Sequence, residues 1–70
     1  MTDMRTKAHR GQVAESAITL LRTGISKVNK HLILGAYEIV EADDFSWDDL
    51  DALYLEWEDL VDEANDILFE

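Results

Sequence analysis

The stretch Ser46 to Glu70, SWDDLDALYLEWEDLVDEANDILFE, constrains the chain more than any other, because its apolar residues recur at steps of three and four. Leu50, Leu53, Tyr54, Trp57, Leu60, Val61, Ala64, Ile67 and Leu68 fall on one side of a helix at that spacing. The opposite arc is carboxylate. Asp48, Asp51, Glu56, Glu58, Asp59, Asp62, Glu63, Asp66 and Glu70 spread over it, with Leu55 the one large apolar residue among them. A segment of this kind must fold as an amphipathic helix with its stripe against the rest of the chain. The expected helix spans residues 46–69.

The start of that helix carries a local signal. Ser46 is placed to cap with its hydroxyl, Asp49 occupies the third helical position of a capping box, and Phe45 is placed to staple onto Leu50. Asp43 to Phe45 reads as the preceding turn. Upstream, Ala14, Ala17, Ile18, Leu21, Gly24, Ile25, Val28 and Leu32 form a second helical stripe, and its small members favour close approach of a neighbour. A first helix is therefore expected over residues 11–42, with residues 1–10 as a flexible basic arm.

Residues 31–42, HLILGAYEIVEA, admit more than one reading, being apolar on more than one side and containing Gly35. A continuous first helix gives a long two-helix hairpin. Interruption at Gly35 gives a short middle helix that packs Ile33, Leu34, Tyr37 and Val40, and so a three-helix bundle. A β-hairpin at Gly35 and Ala36 has no sheet to join. The fold class expected is all-α, a small bundle or hairpin, with a homodimer as one way to cover residues left over.

Seventy residues allow one domain, and a chain of that size has a marginal core of its own. The absence of Pro and the three Gly favour helices over strands and turns. No Cys is present, so neither disulfides nor thiolate metal sites are available. Arg5, Lys7 and Arg10 are not followed by an apolar block of signal-peptide length, and no run of about 18 apolar residues occurs. The expectation is a cytoplasmic protein with no membrane association.

Charge is divided along the chain. All six Lys and Arg lie within residues 1–30 against Asp3 and Glu15, a net of +4, whereas residues 31–70 hold fourteen acids and no base. The C-terminal part therefore repels nucleic acid and anionic membrane, and its expected partner is basic. Like charges four apart, such as Glu58 and Asp62, Asp59 and Glu63, and Asp62 and Asp66, each oppose the helix by about 0.2–0.5 kcal/mol. Carboxylates on one helical face stand about 5–6 Å apart, comparable to the charge spacing of a nucleic-acid strand, where one phosphate falls about every 3.4 Å of axis, the rise of one base pair. The candidate partner-binding residues are Asp48, Asp51, Leu55, Glu56, Asp59, Asp62, Glu63 and Asp66, with Phe69 a further apolar contact near the edge.

Catalytic chemistry finds no constellation in this sequence. Ser16, Ser26 and Ser46 have no nearby His, and His9 and His31 are isolated. Asp43, Asp44, Asp48, Asp49 and Asp51 lack the glycine and terminal Glu of a calcium loop. No cofactor, metal or enzymatic activity is expected. Trp47, Trp57, Tyr54 and Tyr37 read as core or interface, since acidic neighbours exclude a base-stacking role.

In size, helical content and the acidic helix Ser46 to Glu70, the chain resembles the small acidic inhibitors that phages encode against host defence, including the anti-CRISPR and DNA-mimic proteins. That resemblance implies inhibition of a basic, nucleic-acid-binding protein or complex in the host cytoplasm. The chain is also similar in outline to the plasmid-encoded helical-hairpin regulators that bind RNA, which would act as dimers through a basic N-terminal part. Against this, Arg22, Lys27 and Lys30 point in different directions instead of sharing one helix face. An antitoxin or adaptor that masks a basic protein is the third expectation.

Overall fold

A computed structural model describes residues 7–41 and 45–69. Three helices follow in order, α1 (Lys7–Lys27), α2 (Lys30–Glu41) and α3 (Asp51–Leu68), with no strand among the described residues. The protein is a small all-α bundle, 42 × 20 × 16 Å. Residues 1–6, Asp43 and Asp44 of the expected turn, and Glu70 lie outside the described residues.

The small residues of the first stripe decide the packing. Ala14, Ala17, Leu21 and Gly24 are buried along α1, and α2 and α3 both lie against it, while they meet each other along a short seam. Ile33 and Ala36 from α2, and Trp57 and Ala64 from α3, complete the core with Ala17, Ile18 and Leu21. The tightest approach is at Gly24, where a Cβ would stand 3.0 Å from the Ile33 amide nitrogen and Cγ1 and from Leu32 Cβ. Glycine is needed there for proximity, since its own φ is not in the left-handed region.

The chain breaks at Val28–Asn29, earlier than the expected interruption at Gly35. Asn29 N–H donates to the Gly24 carbonyl at 2.8 Å and Val28 N–H to that of Ile25 at 3.1 Å, the paired bonds of a Schellman end. The residue that must turn left-handed is Val28, at φ 50°. Asn29 then caps α2, its Oδ1 accepting from His31 N–H at 2.9 Å and Leu32 N–H at 3.3 Å. Gly35 stays helical within α2, where a Cβ would stand 3.5 Å from Leu20 Cδ2, an ordinary contact. An Asn cap contributes about 0.5–2 kcal/mol, comparable to the roughly 1 kcal/mol that the glycine kept inside α2 costs. Ile33 is buried, Tyr37 and Val40 are half-buried, and Leu34 remains 49% exposed, so most of the segment is covered within one chain.

Two further boundaries differ from expectation. Lys7 to Arg10 belong to α1 and are not part of an arm. Helix α3 begins at Asp51, with Leu50 as its N-cap and no side-chain capping bond. The capping box at Ser46 and Asp49 does not form: Ser46 Oγ accepts from Asp48 N–H at 3.2 Å, the Trp47 carbonyl accepts from Leu50 N–H at 2.9 Å, and Asp49 sits at φ 64°. The ring against Phe45 is that of Trp47, 5.0 Å between centroids.

Val28 holds a left-handed conformation that costs an L-residue about 1–2 kcal/mol, less the extra entropy that Gly loses on ordering. Val28→Gly is expected to raise stability by about 1 kcal/mol in urea unfolding. Gly24→Ala is expected to lower it by about 1 kcal/mol, because overpacking against backbone exceeds the gain in helix propensity.

Candidate partner-binding face

Helix α3 is laid on α1 by its apolar stripe, and this leaves its acidic arc outward. Leu50, Trp57 and Ala64 are buried, and Leu53, Leu60, Val61, Ile67 and Leu68 are half-buried and packed on the core. Leu55, 64% exposed, stands at the middle of the outer surface. Its neighbours one turn away are Asp51, Glu58 and Asp59, with Asp62 a turn beyond, and all four are exposed. Glu63 and Asp66 continue the exposed surface toward the C-terminal end, where the last turn holds no basic residue and Phe69 is 84% exposed.

Two of the expected residues are placed differently. Glu56 lies on the side toward α1 and pairs with Arg22, so its charge is partnered although its side chain stays 43% exposed. Asp48 lies in the turn before α3, its side chain exposed and its carbonyl turned to Arg10. Thus the structure brings together Asp51, Leu55, Asp59, Asp62, Glu63 and Asp66, and adds Glu58. The spacing of Glu58 three residues after Leu55 already marked it as a neighbour. Leu55 within a field of carboxylates is an apolar anchor ringed by charge.

Arg10 fixes how the arc is presented. It is 9% exposed, and its Nη1 donates to the carbonyls of Ser46 at 2.9 Å and Asp48 at 2.7 Å. The guanidinium pins the turn at these two carbonyls, while Asp49 at φ 64° and the Leu50 N–H to Trp47 carbonyl bond at 2.9 Å keep residues 46–50 out of the helix. Trp47, held between these carbonyls, stacks obliquely on Tyr54 at 5.4 Å and on Trp57 at 5.7 Å. Trp57 in turn meets Tyr37 edge-on at 5.8 Å. This chain of rings, Phe45 to Trp47 to Trp57 to Tyr37, ties the turn and α2 to the root of α3.

Between α2 and α3 runs an open cleft of about 250 Å³ lined by Tyr37, Val40, Glu41, Trp57, Val61 and Asn65. Tyr37 Oη donates to Asn65 Oδ1 at 3.4 Å across it. Burial pushes the phenol up from its ordinary 10.0, because desolvation disfavours the phenolate. A second depression on the same flank of α3 joins Tyr54, Trp57 and Val61 to the carboxylates of Glu58, Asp59 and Asp62. Sequence periodicity does not reveal this cleft, since it depends on how far α2 and α3 diverge.

Among the described residues no three His, Asp or Glu side chains converge to hold a metal ion, and no helix is long and apolar enough to cross a membrane. Compared with protein-family models, curated proteins and solved structures, the chain matches none.

Removing Arg10 leaves the Ser46 and Asp48 carbonyls without their cationic donor. Arg10→Met is expected to cost about 2–3 kcal/mol, and Trp47 emission is expected to shift to the red before the helices unfold. Equilibrium unfolding followed in parallel by fluorescence and circular dichroism checks both.

Proposed function

We propose that this protein is a non-enzymatic inhibitor that binds a basic, nucleic-acid-binding protein or complex and occupies its phosphate-binding surface with α3. The observation that carries the reading is the outward arc of α3, where Asp51, Glu58, Asp59 and Asp62 surround exposed Leu55, with Glu63 and Asp66 beyond. Carboxylates one turn apart on a rigid helix present charge at a spacing that Lys and Arg lining a nucleic-acid groove already accept. Leu55 and Phe69 supply the apolar contact that a pure polyanion lacks. Anti-CRISPR or other anti-defence inhibition is the biological setting this chemistry suits best.

The placement of the cations supports the same reading. Arg10 binds backbone carbonyls and Arg22 binds Glu56, so neither extends as part of a basic arm. An inhibitor of this kind acts where its target works, in the host cytoplasm. Electrostatic steering speeds encounter and makes affinity fall steeply with salt.

Changing Asp59, Asp62 and Asp66 together to Asn is expected to abolish capture of the basic partner from a host lysate while leaving helicity intact or improved, because like-charge pairs at Asp59–Glu63, Glu58–Asp62 and Asp62–Asp66 are relieved. Leu55→Ala is expected to weaken capture by about tenfold, as loss of an apolar anchor of roughly 1–2 kcal/mol, without changing stability. The captured partner should leave the protein when DNA or salt is added. Undiminished capture by the triple variant would refute the proposal.

A further inference from the structure

The acidic arc is not the whole of the surface suited to a cation. The α2–α3 cleft combines an apolar floor, Trp57, Val40 and Val61, with the partly exposed ring of Tyr37 and the carboxylate of Glu41. Glu41 is the last residue of α2, and that helix has no basic residue in its last turn, so the negative end of its dipole adds to the carboxylate. On the flank of α3 the adjoining depression exposes Tyr54 beside Glu58 and Asp62, which also belong to the outer arc. Cleft and arc are thus one continuous surface wrapped around α3.

The dimensions select the occupant. At about 250 Å³ and open to solvent, the cleft is below the roughly 300–1,000 Å³ of sites that enclose small-molecule ligands. It suits a single long side chain. A second copy of this chain would bring its own acidic α3 toward Glu41, Glu58 and Asp62, and like charge disfavours that. An apolar floor with aromatic walls and an anionic mouth is complementary to a cation on an aliphatic stem. Between the two basic side chains, the planar and weakly hydrated guanidinium stacks on rings more readily than the strongly hydrated ammonium.

We propose that the α2–α3 cleft receives one arginine side chain of the basic partner, its methylenes along Val40 and Val61, its guanidinium against Tyr37 and paired with Glu41. This deepens the function proposed above and rests on the partner's being basic. It assigns the outer arc to general attraction and the cleft to discrimination between arginine and lysine. Glu41, outside the acidic helix, becomes part of the interface.

The test uses two capped peptides of equal charge, hexa-arginine and hexa-lysine, titrated into the whole protein. Tryptophan fluorescence gives affinity, and methyl NMR spectra give the location. The expected result is about fivefold tighter binding of hexa-arginine, with shifts at the Val40 and Val61 methyls. Glu41→Gln and Val61→Lys should each bring hexa-arginine down to the level of hexa-lysine. Should Val61→Lys lose helicity, the exposed Glu41→Gln substitution decides alone. Equal binding of both peptides without Val40 or Val61 shifts overturns the cleft assignment and leaves the acidic arc standing. An arginine preference that survives Glu41→Gln overturns it as well. Binding of neither peptide overturns the cleft and the basic-partner reading together.

Discussion

Everything in this fold depends on how closely two helices approach α1. Gly24 lets the α2 backbone come within van der Waals contact, and Ala14 and Ala17 keep the same side of α1 shallow further down. Because α1 accepts both neighbours, α2 and α3 are not forced together, and their short seam is closed by Tyr37 against Trp57 and Asn65. Larger residues on α1 would hold the helices apart and empty the core around Leu21 and Ile33. The cleft between α2 and α3 is the geometric consequence of a hub that both helices share.

Charge is organised by the same arrangement. Arg10 and Arg22 both lie on α1, and each reaches the segment that follows α2: Arg10 to the turn before α3, Arg22 to Glu56 on its inner edge. These contacts anchor α3 from one side, and Arg22 neutralises Glu56 there, while the apolar stripe leaves the remaining carboxylates facing away from the bundle. An exposed pair such as Arg22 with Glu56 adds little stability. Its role is positional. The two bonds of Arg10 matter more, since a residue only 9% exposed has little water to exchange them for.

The helical class, the amphipathic character of the C-terminal segment and the outward Leu55 were legible in the sequence because each follows from spacing along one helix. Six of the eight candidate residues share the outer surface of α3 for that reason. The boundaries were not legible. Ser46 with Asp49 is a sound capping signal locally, yet Arg10, 36 residues earlier, holds the Ser46 carbonyl in a turn where Asp49 is left-handed. Gly35 reads as a breaker, yet Asn29 is the better cap and α2 starts there instead, even at the cost of a left-handed Val28. Glu56 reads as one carboxylate among many until Arg22 is seen beside it.

What the sequence by itself determined is therefore one-dimensional: an all-helical chain, basic first and acidic afterwards, with an apolar stripe at helical period and a like-charged ladder opposite. Those properties come from composition and from neighbours three or four residues apart, which interact whatever the rest of the chain does. Only the tertiary structure decided which cations are occupied internally, where α3 begins, and that Glu41 and Tyr37 join Trp57 and Val61 at one cleft. Each of those depends on residues far apart in sequence meeting through the packing of α2 and α3 on α1, and no local periodicity encodes such a meeting.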